Sequence, residues 1–191
     1  MQQVLAEKVV SRRGALVDIS LIILGSLFIA AFAQLSIPLP FTPVPITGQT
    51  FAVLLVGMVL GSRRGALALA AYLAEGAAGL PVFAEMRSGI ATLFGPTGGY
   101  LFGFVAAAWL VGWLAERGFD RSLLKTLAAM TLGNAVIYFF GVLWLSRFVD
   151  GFAGGQGALA LGMYPFLIGD AIKALLAAML LPSAWRFIGS R

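Results

Sequence analysis

Long apolar stretches separated by short polar segments make up most of the chain. The stretches are near-continuous, and they do not alternate apolar and polar residues as the strands of a membrane barrel would. A helix needs roughly 20 apolar residues to cross a bilayer. The pattern therefore predicts an all-α membrane protein, a compact bundle of six transmembrane helices in one domain over residues 1–191. The predicted spans are 19–37, 47–60, 66–80, 98–115, 123–145 and 164–181.

The segments between these stretches differ in character. Residues 38–45 contain four prolines, too many for the interior of a helix. Residues 61–65 predict a tight basic turn, residues 81–97 mix Pro, Gly and charged residues, and residues 151–162 form a Gly-rich loop. No internal repeat and no second domain is evident.

Composition excludes several classes of protein. Hydrophobic residues make up 60% of the chain and charged residues only 11%, whereas soluble domains carry roughly 25% charged residues. The chain has no Cys and no His, which removes thiolate chemistry and the commonest general base and metal ligand. No resident cofactor and no metal site are predicted. The basic residues do not form one patch, so nucleic acid is not a predicted partner.

The basic residues give the bundle a direction, because Lys and Arg concentrate in cytoplasmic segments. With six spans and both termini in the cytoplasm, the outer segments hold only Arg87 and Arg147, and Lys173 lies within the last span. The remaining ten basic residues fall inside: Lys8, Arg12, Arg13, Arg63, Arg64, Arg117, Arg121, Lys125, Arg186 and Arg191.

The last span contains the most informative pair of charges. Asp170 and Lys173 are three residues apart, so they share a helix face. A charge at mid-membrane is costly and is usually functional or paired. One interpretation is a structural ion pair. The second is a polar wall of a solute site, with Asp170 about six residues, or ~9 Å, in from the outer end of the span and Arg87 reaching it from an outer loop.

A pocket with two cations and one anion suits a small solute that bears a carboxylate and an amide- or urea-like group. Gln49, at the start of the second span, is a candidate pocket amide. Asn134 and Tyr138 are four residues apart and either face the pocket or bond another helix. Glu75, within the third span, is either functional or paired with a neighbour. The outer loops are either a lid over the ligand or simple connections.

In order along the chain, five short motifs resemble the BioY family, the substrate-capturing (S) subunits of energy-coupling-factor transporters for biotin. They are Ala33-Gln-Leu-Ser-Ile-Pro38, Pro43-Val-Pro45 with Gln49-Thr50, Gly79-Leu-Pro-Val-Phe83, Gly95-Pro-Thr-Gly-Gly-Tyr100 and Gly169-Asp-Ala-Ile-Lys173. The family's usual Gly-Gly-Arg-Gly-Gly-like stretch reads Glu85-Met-Arg-Ser-Gly89 here, with Arg87 kept and bulkier neighbours.

The resemblance implies a six-helix bundle in a bacterial plasma membrane that binds biotin near its outer face. It implies Arg87, Asp170 and Lys173 as biotin contacts, and Gln49, Asn134 and Tyr100 complete the predicted binding set. It also implies that the first helix docks, through small residues, onto a transmembrane coupling subunit. Ser26 and Ala30 are the closest match to such a stripe.

The chain has no phosphate-binding loop of the Gly-x-x-x-x-Gly-Lys-[Ser/Thr] type, so active uptake implies two partner ATPases besides the coupling subunit, and self-association is a further option. No enzyme is predicted. An intramembrane aspartyl protease is the enzymatic alternative, but Leu167 stands where its motif requires Gly, and no second Asp lies inside a span. The sequence also leaves open a purely structural membrane protein, or the same architecture used for another vitamin or small acid.

Overall fold

A computed structural model describes residues 2–10, 14–149 and 157–189. Strands β1 (Ser36–Ile37) and β2 (Ile46–Thr47) are short, and 3₁₀ turns cover Ala84–Met86, Phe119–Arg121 and Tyr164–Phe166. Helices make up most of the fold: α1 (Leu5–Val9), α2 (Ala15–Ala33), α3 (Gln49–Leu60), α4 (Ser62–Ala77), α5 (Ile90–Leu93), α6 (Gly98–Ala115), α7 (Leu123–Leu145), α8 (Ala158–Gly162) and α9 (Leu167–Gly189).

Helices α6 and α7 have the same bounds as the predicted spans 98–115 and 123–145. Within the described residues, four helical segments are long and apolar enough to cross a membrane: Ala15–Ala33, Gly98–Ala115, Leu123–Leu145 and Ala158–Ile188. Helix α3 is apolar but has 12 residues, about 18 Å of helix, which is shorter than the hydrocarbon core. Helix α4 includes two arginines and Glu75.

The first apolar stretch does not stay helical to residue 37 as predicted. Helix α2 ends at Ala33, and β1 pairs with β2 in an antiparallel hairpin, with Ser36 opposite Thr47 and Ile37 opposite Ile46. The physical reason is Pro38, because a proline disfavours the helical conformation of the residue before it. The hairpin carries the chain back toward the start of α3.

The basic turn predicted at residues 61–65 is shorter than expected. Within this turn only Gly61 has a positive φ, of 86°, and Ser62 is already the first residue of α4. The carboxylate of Glu116, which follows α6, accepts hydrogen bonds from the backbone N–H of Ser62 at 2.8 Å and from its hydroxyl at 2.7 Å. A side chain from another helix thus satisfies one of the free N–H groups at the start of α4.

The longer predicted loops contain helices that the sequence did not reveal. Residues 81–97 include a 3₁₀ turn and α5, and the described part of the predicted Gly-rich loop 151–162 includes α8; residues 151–156 of that loop lie outside the described residues. The last helix reaches Gly189 rather than residue 181, with Pro182 inside it. Proline removes one backbone hydrogen bond from a helix, and here the helix continues past it.

Helix α6 forms the centre of the bundle and α2 lies at its edge. The share of buried residues is 67% in the apolar window of α6 and 17% in that of α2. Small residues let the helices approach. A Cβ added to Gly57 of α3 would lie 2.6 Å from the carbonyl oxygen of Ala108 in α6, and one added to Gly112 would meet the backbone between α3 and α4.

Helix α2 packs on α4 through a polar pair. Ser26 is fully buried and donates a 2.8 Å hydrogen bond to Oε1 of Glu75. The docking role predicted for Ser26 does not fit this position, because its side chain points into the bundle and is already engaged there. Ala30 is only half-buried. Glu75 is paired with a neighbour, which is one of the two interpretations that the sequence left open.

Candidate functional site

A cavity opens among the ends of six segments: the β-hairpin, the start of α3, the loop after α4, and helices α6, α7 and α9. Its volume is about 70 Å³, smaller than the roughly 300–1,000 Å³ of a typical small-molecule site. Most of its surface is apolar. Its polar and charged lining residues are Thr47, Gln49, Thr50, Glu85, Arg87, Thr92, Thr97, Tyr100, Tyr138, Asp170 and Lys173.

Asp170 is a buried acid at the centre of a hydrogen-bond network in this cavity. Pro165 lies in a 3₁₀ turn, so the α-helix begins at Leu167 and places Asp170 in its first turn, where the helix dipole favours a carboxylate. This is nearer the helix end than the six residues expected from sequence. Asp170 is 4% exposed. Its Oδ1 accepts from Thr50 at 2.8 Å, and its Oδ2 accepts from the hydroxyl of Tyr138.

Lys173 lies one turn further along α9 and completes the network. Its ammonium donates to Oδ1 of Asp170 at 2.9 Å, to Oγ1 of Thr50 at 2.9 Å and to the carbonyl oxygen of Thr47 at 2.7 Å. An ammonium has three hydrogens, so the protein engages all of them. Asp170 and Lys173 are therefore an ion pair and also line the cavity. The two interpretations drawn from sequence are compatible.

Thr47 and Thr50 were not among the predicted site residues. The hairpin turns the chain so that the carbonyl of Thr47 faces α9, and Thr50 lies in the first turn of α3. The signal in the sequence was a cluster of polar residues, Thr47, Gln49 and Thr50, between a proline and an apolar run. Only the packing of α3 against α9 brings this cluster within reach of Asp170.

Gln49 lines the cavity as predicted, and its amide is held by neighbours. It is 4% exposed and donates a 2.8 Å hydrogen bond to the hydroxyl of Tyr72 in α4. The hydroxyl of Tyr72 in turn donates to the carbonyl oxygen of Val82 at 3.1 Å. This chain of hydrogen bonds joins the start of α3 to the loop after α4.

That loop brings Arg87 to the mouth of the cavity. The guanidinium pairs with the carboxylate of Glu85, and the Arg87 side chain is 55% exposed. The neighbouring residues Glu85 and Met86 have positive φ angles of 60° and 58°, a conformation that non-glycine residues rarely adopt. The bulkier residues around Arg87 thus occupy positions where glycine is the easier fit.

Two further predicted residues lie in different surroundings. Tyr100 lines the cavity, and its hydroxyl donates to the carbonyl oxygen of Gly162 at 2.7 Å, which ties α6 to α8. Asn134 is not in the cavity lining. It lines a separate space of about 690 Å³ beside α7 and α9, and within the described residues its buried Oδ1 has no hydrogen-bond partner. Tyr138 and Asp170 line both spaces, whereas Asn134 lines only the second.

Known proteins share this fold and much of this sequence. A solved structure described as the S-component for biotin from an ECF-type ABC transporter superimposes with a TM-score of 0.78 at 28% identity, covering 88% of this chain and 90% of that chain. A biotin transporter BioY from Thermotoga maritima is 43% identical over 144 residues, covering 75% of this chain and 82% of the relative.

A probable biotin transporter BioY from Pyrococcus horikoshii is 38% identical over 163 residues, covering 85% of this chain and 93% of the relative. The model of the BioY family matches residues 4–190. These matches cover nearly the whole chain and confirm the resemblance that its motifs predicted: the chain belongs to the BioY family.

Proposed function

We propose that this protein is a membrane subunit that captures biotin at the outer face of the cell for uptake. The observation that carries the proposal is the network of Asp170, Lys173, Thr50 and Tyr138 at one end of the cavity, with Arg87 at its mouth. The relatives named as biotin transporters support the choice of ligand.

The two ends of the cavity suit the two polar ends of biotin. Its ureido ring offers two N–H donors and one carbonyl acceptor. The Asp170 carboxylate accepts N–H donors. The three hydrogens of Lys173 are already engaged, whereas Arg87 has five N–H donors and one carboxylate partner, Glu85. We therefore assign the ureido ring to Asp170 and the carboxylate of biotin to Arg87.

The aromatic lining suits the remaining part of the ligand. Phe83, Phe104 and Phe166 also line the cavity. Such surfaces pack against the thioether ring and the alkyl chain of biotin, which carry no strong hydrogen-bonding groups. The cavity has a volume of only about 70 Å³. Side chains at its mouth must therefore move outward before biotin enters.

The same proposal places six spans in a bacterial plasma membrane, with both termini in the cytoplasm. The distribution of Lys and Arg supports this orientation. Aromatic side chains mark the two interfaces: Trp144 lies at the cavity end of α7, and Trp113 stacks under Arg117 near the opposite end of the bundle. Helices α3 and α4 are then the two short spans; α3 is shielded by its neighbours, whereas α4 keeps an exposed face that includes Leu67.

Uptake against a gradient requires partners, since the chain has no phosphate-binding loop. We assign this work to a transmembrane coupling subunit and two ATPase subunits. Helix α2 is the best surface for docking, because Leu16, Leu24 and Leu27 are each more than half exposed. Ala30 stays within this proposed surface, whereas Ser26 does not. Self-association through the same face is the competing use of it.

Isothermal titration calorimetry of the purified protein in detergent tests the assignment. The wild type is expected to bind biotin tightly. Asp170→Asn is expected to weaken binding about 30-fold, since it removes a charge-assisted hydrogen bond to the ligand worth ~2 kcal/mol. Lys173→Ala is expected to weaken binding too, since it removes a donor that orients the Asp170 carboxylate. Lys125→Ala is the matched control, because it removes a lysine at the opposite end of the bundle.

Three results would contradict parts of the proposal. Normal biotin binding by both cavity variants would refute the proposed site and favour a purely structural ion pair. Binding of another vitamin or small acid, with no binding of biotin, would refute biotin as the ligand but keep the protein a solute-binding subunit. An absence of binding to any of these compounds would favour a structural membrane protein.

A further inference from the structure

Gln34 lies outside the cavity, yet its side chain holds the loop that carries Arg87. It follows the last residue of α2, and its Oε1 accepts a 3.1 Å hydrogen bond from the backbone N–H of Met86. Its Nε2 donates to the carbonyl oxygens of Phe83 at 3.1 Å and Val82 at 3.3 Å. A single amide therefore bridges both ends of the turn at residues 82–86.

This turn needs an external support. Glu85 and Met86 both have positive φ angles, and such conformations persist only where the surroundings hold them. The turn's own hydrogen bonds are local, since they run from the Phe83 N–H to the Arg87 carbonyl and from the Arg87 N–H to the Ala84 carbonyl. Phe83 anchors one side, 1% exposed beneath the loop. On the Met86 side, the turn is held by Gln34, and three residues further on the Gly89 N–H donates to the Gly76 carbonyl at 2.7 Å.

We propose that Gln34 is a positioning residue that latches the loop 82–87 over the cavity and thereby slows release of the ligand. The inference rests on the proposed function, because the ligand is biotin. Gln34 is exposed, so water competes for each of its hydrogen bonds. A latch of this kind is strong enough to favour the closed turn and weak enough to open for exchange.

The chemistry of the amide is specific. The amide accepts from one backbone N–H and donates to backbone carbonyls. Gln34→Glu keeps the shape of the side chain, but the ionised carboxylate has no donor for the Phe83 and Val82 carbonyls. Protonation restores one O–H donor. Gln34→Met removes both functions while keeping a similar length. The same Gln→Glu change at Gln3, at the opposite end of the chain's fold, is the matched control.

The first measurement needs no ligand. Hydrogen–deuterium exchange at residues 83–87 of the protein in detergent is expected to be faster in Gln34→Met, and in Gln34→Glu at pH 7.5, than in the wild type or Gln3→Glu. A second comparison at pH 4, below the usual Glu pKa of about 4.3, and corrected for the intrinsic exchange rate, is expected to bring Gln34→Glu back toward the wild type. Unchanged exchange in both Gln34 variants would overturn the latch.

The second measurement links the loop to the ligand. Biotin dissociation is expected to be about tenfold faster in Gln34→Met, as expected for the loss of one or two modest hydrogen bonds, with a smaller change in association. Altered exchange at residues 83–87 with unaltered dissociation would overturn the role of the latch in release. Failure of the wild type to bind biotin would instead refute the proposed function, while the exchange result would still stand.

Discussion

Tyr138 and Asp170 join α7 to α9 through a hydrogen bond from the phenolic hydroxyl to Oδ2 of the carboxylate. The second carboxylate oxygen is held by Thr50 of α3 and by Lys173. Three helices thus converge on one buried acid. This convergence fixes the direction of the carboxylate in the cavity, and it makes the acid dependent on partners that are far apart in the chain.

Tyr138→Phe is expected to lower the stability of the protein by about 1–3 kcal/mol, because Oδ2 of Asp170 would lose its donor in a buried position. Thermal unfolding in detergent measures the change. Tyr164→Phe is the control, since Tyr164 is 57% exposed and does not line the cavity. Equal unfolding temperatures for the two variants would show that the hydrogen bond does not support the fold.

Gly76→Ala is expected to destabilise the protein by about 1–3 kcal/mol through overpacking. A Cβ at this position would collide with the ring of Phe83, which packs edge-on against Tyr72 and lines the cavity. Displacement of the ring is also expected to weaken biotin binding in calorimetry. Gly169→Ala, with no atom within 4 Å of the added Cβ, is expected to change neither, and a similar loss in both variants would contradict this explanation.

Asp120, between α6 and α7, is expected to make the stability of the protein depend on pH. It is fully buried between α6 and α7, and burial raises the pKa of its carboxyl group despite the hydrogen bond from Trp185. A raised pKa means that the folded state binds the proton more tightly. The stability from this group is therefore complete below the usual Asp pKa of about 3.9 and is lost as pH rises through the raised value.

Asp120→Asn is expected to remove the part of the stability that depends on protonation of Asp120. The difference in unfolding temperature between the variant and the wild type should therefore shift in favour of the variant as pH rises from 4 to 8. The hydrogen bond from Trp185 can be kept by the Asn side-chain oxygen. Thermal unfolding across this range measures the shift, and parallel profiles would show that Asp120 does not titrate differently in the folded state.

Labelling of single cysteines tests the orientation of the bundle, since the chain has no native Cys. Leu80→Cys, in the exposed loop after α4, is expected to react with a membrane-impermeant maleimide in intact cells. Ser122→Cys, between α6 and α7, is expected to react only after the membrane is opened. The reverse pattern would show that the protein has the opposite orientation in the membrane. Labelling of both sites in intact cells would argue against an odd number of spans between them.

The sequence identified the residues whose charge is unusual for their position. A charged pair in an apolar stretch is costly, so Asp170 and Lys173 were recognisable without a structure, and both line the cavity. Gln49 and Arg87 line it as well. Thr50 was not recognised, and the sequence left Tyr138 between two interpretations, because polar uncharged residues in a span are common and carry no comparable cost.

The sequence alone was enough to determine the helical class, because an apolar chain in lipid must satisfy its backbone hydrogen bonds internally. Its local patterns also predicted the bounds of α6 and α7 and the family. The tertiary structure decided which polar groups meet. It ended α2 before Pro38, turned Ser26 inward onto Glu75, separated Asn134 from the cavity and brought Thr47 and Thr50 to Lys173. These contacts join residues up to 126 positions apart, and no local pattern encodes the packing that brings them together.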